Sequence, residues 1–297
     1  MKQIIKIYQQ YLNLQDANFS LIDHEDAMVA IVYKITKTDG TELILKISER
    51  PNDFFREVML LKQLSGKLSV PKIIQIVEPN EKIHSAILME FLTGELLKKD
   101  ELTEKLAYEI GESLACIHLN RFTGYGDPID HHLNLDPTIY FSFKFEEGIK
   151  ECESQLPIEL IKKCQKYYQA QQHILQSVDG PCLAHRDFRP GNLIVENNQL
   201  KGIIDWLGAR ASFAEEDFCS IEHGDWLANS FIKNSFLSGY ANIRPVPDYM
   251  PFISLLRLNK AIATIGFTVK QGTWKNRNSG IYQANLQFLE NFFKDDM

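Results

Sequence analysis

Residues 185–192 read HRDFRPGN, and residues 203–208 read IIDWLG. These two short pieces decide how the whole chain is read. Short apolar runs at 182–184, 193–195 and 202–204 surround them, so both pieces fall in loops between strands. Pro190-Gly191 bends the first loop and returns Asn192 to the side of Asp187. Asn197-Asn198 has the residue types of a tight hairpin turn, so the next strand runs back and ends at Asp205. Two carboxylates and an amide oxygen then converge as hard donors, a set that suits Mg²⁺ sharing its shell with phosphates and water.

Phosphoryl transfer needs that set. Its transition state is loose and highly charged, so the protein's work is positioning and charge neutralisation. Asp205 and Asn192 are expected to hold the metal. Asp187 is expected to orient the attacking hydroxyl and take its proton. An aspartate with an unperturbed pKa of about 4 is a weak base, so it acts late, once the hydroxyl proton has become acidic. The competing reading is an ordinary Asp-rich turn between strands.

Upstream, the first ninety or so residues carry strand signals. Runs at 30–35 and 42–47 flank the turn Thr38-Asp-Gly-Thr41 and form a hairpin. Residues 53–64 have helical spacing, with Asn52 or Asp53 as N-cap. Two more apolar runs follow at 72–77 and 85–91. Lys46 stands alone inside an apolar run. It is either a half-exposed lysine on an edge strand, or a phosphate-binding lysine held by Glu57 of the following helix.

Past residue 93 the pattern turns helical. Leu102, Leu106, Ile110, Leu114 and Ile117 mark a buried helix face over 101–120, and 156–178 is another long helical stretch. From about residue 231 the chain is mostly helical. The expected division is 1–93, a nucleotide-binding sheet plus one helix, and 94–297, which carries the catalytic loop, metal loop and substrate helices.

The bulk numbers are those of an ordinary globular chain: 297 residues, 44% hydrophobic and 24% charged. A net charge of −7 argues against a nucleic-acid partner. The start lacks an uninterrupted apolar core, and Arg257, Asn259 and Lys260 break the apolar stretch at 253–269, so neither a signal peptide nor a membrane partner is expected. Five scattered cysteines without a Cys-x-x-Cys pair fit free thiols in the cytoplasm. Nothing in the sequence speaks to an oligomeric state.

HRDFRPGN and IIDWLG, with Lys46, Glu57 and the β-then-α order, resemble the aminoglycoside phosphotransferase / choline kinase group of small-molecule kinases, relatives of the eukaryotic protein kinases. The likeness runs over roughly residues 18–240 and is strongest at 183–210. It implies an α+β, bilobal, protein-kinase-like fold with a small β-rich N-lobe and a larger, mainly helical C-lobe. It implies Asp187 as the catalytic aspartate and Asn192 and Asp205 as Mg²⁺ ligands. Lys46, paired with Glu57, would contact the α- and β-phosphates. Arg189, at a position that departs from the family pattern, could reach the γ-phosphate. The stretch 87–92 resembles the hinge strand, so the backbone at Glu90, Phe91 and Leu92 would meet the base of ATP or GTP. Asp217 resembles the structural aspartate that follows the metal loop in this group.

Some positions depart from the family pattern. The phosphate-covering loop, expected at 21–29, has no glycine and carries Asp23, Glu25 and Asp26. Arg186 and Arg189 stand where glycine and histidine are commoner in the antibiotic kinases. Asp-Trp-Leu-Gly replaces Asp-Phe-Gly, and no Ala-Pro-Glu segment is present to dock a peptide.

On the acceptor side, residues 211–225 hold Glu215, Glu216, Asp217, Glu222 and Asp225 with no lysine or arginine. They could steer an amine-bearing substrate, although a solvated charged loop is the commoner meaning of such a run. Trp206, Trp226 and Trp274 could box a quaternary ammonium, although core packing is the commoner role. His118 is read as a core histidine and His131-His132 as loop. The expected function is transfer of the γ-phosphate of ATP or GTP to a hydroxyl of a small cationic molecule. Aminoglycoside-like sugars come first, then choline or ethanolamine. The alternative is a pseudokinase that binds nucleotide without transfer.

Overall fold

The computed structural model describes residues 2–22, 30–81, 83–224 and 226–294. Most of the expected phosphate-covering loop, from residue 23 to 29, lies outside the described residues, as does Asp225.

The N-lobe is built on one antiparallel sheet. Its strands are β1 (Asn18–Ile22), β2 (Ala30–Thr36), β3 (Glu42–Ser48), β4 (Ile73–Val77) and β5 (Ser85–Glu90), in the order β1-β2-β3-β5-β4. Gly40 closes the β2–β3 turn with φ +82°, a value that costs glycine nothing. β3 is therefore the middle strand and not an edge. Leu43, Leu45 and Ile47 point to one face, where they form a core with Tyr33, Ile35 and Leu88. A helix absent from the sequence reading, α1 (Lys2–Tyr11), covers that face with Tyr8 and the following Leu12. Ile44 and Lys46 alternate onto the opposite face.

That opposite face receives α2 (Pro51–Leu64) through Phe54, Val58 and Leu61, which pack in one cluster with Ile87 and Met89 of β5. Each such apolar side chain contributes about 1.5–3 kcal/mol on burial. The expected cap at Asn52 or Asp53 is not the one used. Helix α2 starts at Pro51, and Arg50 at the cap makes no side-chain cap bond. Proline suits the first helical position because the N–H it lacks would have no partner there.

The C-lobe begins with β6 (Glu95–Leu96) and α3 (Glu104–His118). Thr103 caps α3 by accepting from Leu106 N at 3.2 Å, so the helix starts later than the apolar periodicity suggests. Then come α4 (Pro137–Cys152) and α5 (Ile158–Gln171), the latter continued by a 3-10 turn to Ser177. Four short strands follow: β7 (Cys182–Ala184), β8 (Leu193–Glu196), β9 (Gln199–Ile203) and β10 (Arg210–Ser212). They form the sheets β6-β8-β9 and β10-β7. Asn197 and Asn198 turn the β8–β9 hairpin with φ +52° and +58°. The chain ends with α6 (Glu215–Gly224), α7 (Ser230–Ile243), α8 (Ile253–Lys270) and α9 (Ser279–Phe292).

By length and composition the run Met250–Lys270 is apolar enough to cross a membrane, despite its three polar interruptions. Its burial explains the composition. Leu255, Leu258, Ile262 and Ile265 of α8 pack with Phe141 and Phe145 of α4 and with Leu289 of α9.

Helices α3 and α7 meet through glycines. A Cβ built on Gly111 would come 2.0 Å from Phe236 O, and one on Gly239 would come 2.0 Å from Tyr108 O. Both obstacles are backbone, so neither can step aside cheaply. Gly239→Ala is expected to cost about 1–3 kcal/mol or more and to lower Tm by several degrees. A thermal melt matching that of the unaltered protein would show that the helices do not pack this closely.

Candidate active site

Lys46 emerges from the central strand β3 into the cleft between the lobes. Its side chain is almost wholly buried, which corrects the half-exposed edge position weighed from the sequence. The ammonium donates to Glu57 Oε1 of α2 and to Asp205 Oδ1, each at 2.8 Å. Glu57 Oε1 also accepts from the backbone N–H of Trp206 at 3.3 Å. One lysine thus joins the N-lobe sheet, α2 and the loop after β9. Burial works against the Lys46 charge, but the carboxylates of Asp205 and Glu57 outweigh it and raise its pKa. Burial likewise would raise the Asp205 carboxyl, yet the facing ammonium holds it below the usual carboxylate range. Glu57, deeper still, is pushed up by burial despite Lys46.

The loop after β7 supplies the second half. Asp187 Oδ2 accepts from Asn192 Nδ2 at 2.7 Å and from Arg189 Nε at 3.1 Å. Asn192 Nδ2 donates as well to the Asp187 carbonyl at 2.8 Å. Both partners are acceptors, so the amide nitrogen must face them and the amide oxygen points elsewhere. Ile204 N donates to Asn192 O at 3.0 Å and ties this loop to the strand that leads into Asp205.

Two non-glycine residues here have left-handed backbones, Arg186 at φ +67° and Asp205 at φ +65°. Such conformations cost about 1–3 kcal/mol and persist only where surroundings enforce them. For Arg186 the enforcer is Asp217 of α6. Its two carboxylate oxygens accept the backbone N–H of His185 at 2.8 Å and of Arg186 at 2.6 Å. His118 Nε2 lies 3.1 Å from the same carboxylate, and its Nδ1 lies 2.8 Å from Tyr240 OH, so His118 is a satisfied core histidine. Burial would raise the Asp217 carboxyl, but His118 and His185 hold it below the ordinary value.

Lys46, Glu57, Asp187, Arg189, Asn192 and Asp205 all line one cavity of about 590 Å³ between the lobes. Glu90, Phe91 and Leu92 line it as well, where β5 stops at Glu90 and the main chain of the next two residues leaves the ladder. Glu90 Oε1 accepts from Lys72 N at 3.0 Å, and the Phe91 ring carries the Lys34 ammonium 4.2 Å from its centre. The volume lies in the range of small-molecule and cofactor sites.

The donors fit magnesium. Asp205 Oδ1 is taken by Lys46, leaving Oδ2, and Asn192 is left with its amide oxygen. Two hard oxygens are too few for a cage but enough for an ion that completes its shell with phosphates and water. No cluster of three or more His, Cys, Asp or Glu ligands occurs among the described residues.

The acidic run behaves differently from a steering surface. It folds into α6, and its described carboxylates are used internally. Glu216 pairs with Arg186 at 3.2 Å. Glu222 pairs with Lys233 and accepts from Tyr249 OH at 2.9 Å. Asp217 and Glu215 are buried. The tryptophans form no box either. Trp206 and Trp226 sit in the core shared with α2 and α3, whereas Trp274 packs on Tyr282 in the other core.

Glu215 has a consequence of its own. One oxygen accepts from Asp179 N at 2.9 Å, and the other has no hydrogen-bond partner among the described residues. Burial pushes its pKa up from 4.5 to about 7. A carboxyl that holds its proton more tightly when folded contributes stability fully below its unfolded pKa. That contribution is lost as pH rises through the folded value. Between pH 5 and pH 8 the unaltered protein is therefore expected to lose about 2–3 kcal/mol that Glu215→Gln does not lose. Urea unfolding of both proteins at the two pH values measures the difference, and equal pH dependence would refute it.

Sequence reasoning missed Arg56 and Asp127, which bind each other beside this cleft. The only signal was an arginine three residues after Asp53 on a helix.

No curated protein matches the chain closely enough to count as a relative. Solved structures similar in fold include aminoglycoside phosphotransferase APH(4)-Ia in a thermostable mutant form with ADP and hygromycin B. It is 11% identical, with 97% of each chain covered and a TM-score of 0.69. The GDP and kanamycin complex of APH(2")-IIia is 14% identical, covers 99% of this chain and 100% of that one, and has a TM-score of 0.65. ADP-bound APH(2'')-Ib is 19% identical, covers 98% and 97%, and has a TM-score of 0.61. The sequence profile of the phosphotransferase enzyme family matches residues 29–233, a span that holds Lys46, Glu57, Asp187, Asn192 and Asp205, and the chain belongs to that family.

Proposed function

We propose that the protein transfers the γ-phosphate of ATP or GTP to a hydroxyl of a small molecule, with Asp187 as the catalytic base. The observation that carries this reading is the convergence of Lys46, Asp205, Asn192 and Asp187 on one end of one cleft. Lys46, held between Glu57 and Asp205, offers its ammonium to the nucleotide phosphates. Asp205 and Asn192 would hold magnesium, which would supply charge neutralisation on those phosphates. Asp187 keeps Oδ2 on Asn192 and Arg189, which leaves Oδ1 to align the acceptor hydroxyl and receive its proton. Arg189 stands beside that oxygen with a charge that never titrates, placed to meet the group in transfer. The main chain at Phe91 and Leu92 receives the base of ATP or GTP.

We infer an amino sugar as the first acceptor class, with choline-type amino alcohols second. Its support is the pair of fold relatives solved with hygromycin B and kanamycin. The acidic run of α6 adds none, since its described carboxylates are already engaged. The test measures ADP or GDP release with Mg·ATP and Mg·GTP over a panel of amino sugars, amino alcohols and neutral sugars. Mass spectrometry then looks for a phosphorylated acceptor. Tight nucleotide binding with no transfer to any panel member would favour the pseudokinase instead.

A further inference from the structure

Arg56 is among the most buried side chains of the protein, only 1% exposed. It follows Phe54-Phe55 and precedes Glu57 on α2. An arginine cannot shed its charge to escape burial, so every donor needs a partner. Nε donates to Asp127 Oδ1 at 2.8 Å, and Nη2 donates to the other oxygen of the same carboxylate. Nη1 donates to Asp53 Oδ1 at 3.0 Å and to the carbonyl of Leu207 at 2.5 Å. Leu207 belongs to the turn Trp206–Gly208 that follows Asp205. Asp127 follows Gly126, whose backbone is paired with Ala211 of β10 by bonds of 2.8 and 3.1 Å. One guanidinium therefore spans an N-lobe helix, the turn after Asp205 and a loop pinned to the C-lobe.

We propose that Arg56 and Asp127 form a clasp that fixes α2 against the C-lobe and so holds Glu57, Lys46 and Asp205 in register for the nucleotide phosphates. These are positioning residues, and the inference rests on the functional reading above. The coupling runs through covalent neighbours. Glu57 is the next residue after Arg56, and its carboxylate meets Lys46 and the N–H of Trp206. Leu207, held by Arg56, is the next residue after Trp206. Sliding or turning α2 breaks the bidentate pair and the Leu207 bond together with the bridge to Lys46. A buried ion pair adds little stability over an apolar pair of the same size. What a bidentate guanidinium–carboxylate pair adds is a defined orientation. In this chain the protein's own groups hold α2 against the C-lobe.

Removing one partner alone would strand a buried charge and threaten the fold. The informative variant removes both, Arg56→Met with Asp127→Leu. The Leu207 carbonyl keeps a donor in that variant, because Arg210 Nη1 also reaches it at 3.1 Å. Thermal melting first establishes that the double variant folds. Mg·ATP and Mg·GTP affinity by calorimetry and steady-state kinetics then follow. The clasp predicts affinity for the better nucleotide about tenfold weaker, a raised Mg²⁺ requirement, kcat down by up to about 100-fold, and an unchanged KM for the acceptor. Arg56→Lys with Asp127→Glu, which restores the charges, should recover part of the loss. A purely structural role would lower the active fraction and leave nucleotide KM and Mg²⁺ dependence as they were. That result, or wild-type kinetics in the folded double variant, overturns the clasp. Failure of the unaltered protein to bind nucleotide overturns the functional reading and the clasp with it, a result visible before any variant is made.

Discussion

Asp187→Asn is expected to lower kcat by about 10²–10⁴-fold with nucleotide affinity nearly unchanged. The asparagine keeps the shape of the side chain. Its oxygen can still accept from Asn192 and Arg189, as Asp187 Oδ2 does now. Its amide nitrogen then occupies the position of Oδ1, where a proton acceptor is needed, and an amide cannot take the hydroxyl proton. Lys46 and Asp205 touch neither group, so the phosphates lose none of their contacts. Single-turnover kinetics with separate measurement of Mg·nucleotide binding distinguishes the two effects. A variant turning over at the rate of the unaltered enzyme would remove Asp187 from the mechanism.

Asp217→Ala is expected to damage stability and activity together. Its carboxylate serves two backbone N–H groups and His118; His185 and His118 are buried and Arg186 is half-buried. Alanine takes this partner from both N–H groups and from His118 Nε2, at a cost of about 3–5 kcal/mol. It also frees Arg186 from the left-handed conformation that Asp217 enforces, and Asp187 is the next residue. The remaining folded fraction is therefore expected to have a disordered catalytic loop and little activity. The readouts are Tm, which should fall by roughly ten degrees, and turnover per folded molecule. Normal turnover in the folded fraction would mean that Asp217 supports the fold alone.

The site was legible where local chemistry dictates it. Pro190-Gly191 and Asn197-Asn198 are turn residues, and the turns they make bring Asn192 to Asp187 and carry the chain back toward Asp205. The fold was legible where one face of an element is apolar, as in β2, β3, α2 and α3. It was left open at Lys46, and misread at the acidic run, where the sequence signal is ambiguous about burial. Lys46 alternates with Leu45 and Ile47 on an edge strand and on a central one alike. The acidic run 215–222 has the composition of a solvated loop, yet each of its carboxylates has its own place inside α6 and its neighbours.

By itself the sequence determined the kind of chemistry: the oxygen donors, the lysine and glutamate that answer them, and the β-then-α order that holds them. Those follow from residue type and short-range spacing, which turns and strand alternation convert directly into geometry. Only the tertiary structure decided that α1 covers the back of the sheet and that β3 runs through its middle. It alone placed Asp217 under the catalytic loop and Arg56 across to Asp127. Each of these pairings joins residues far apart in the chain, and no local propensity encodes which distant charge will answer which. That choice is made when burial removes water and leaves the buried groups only each other as partners.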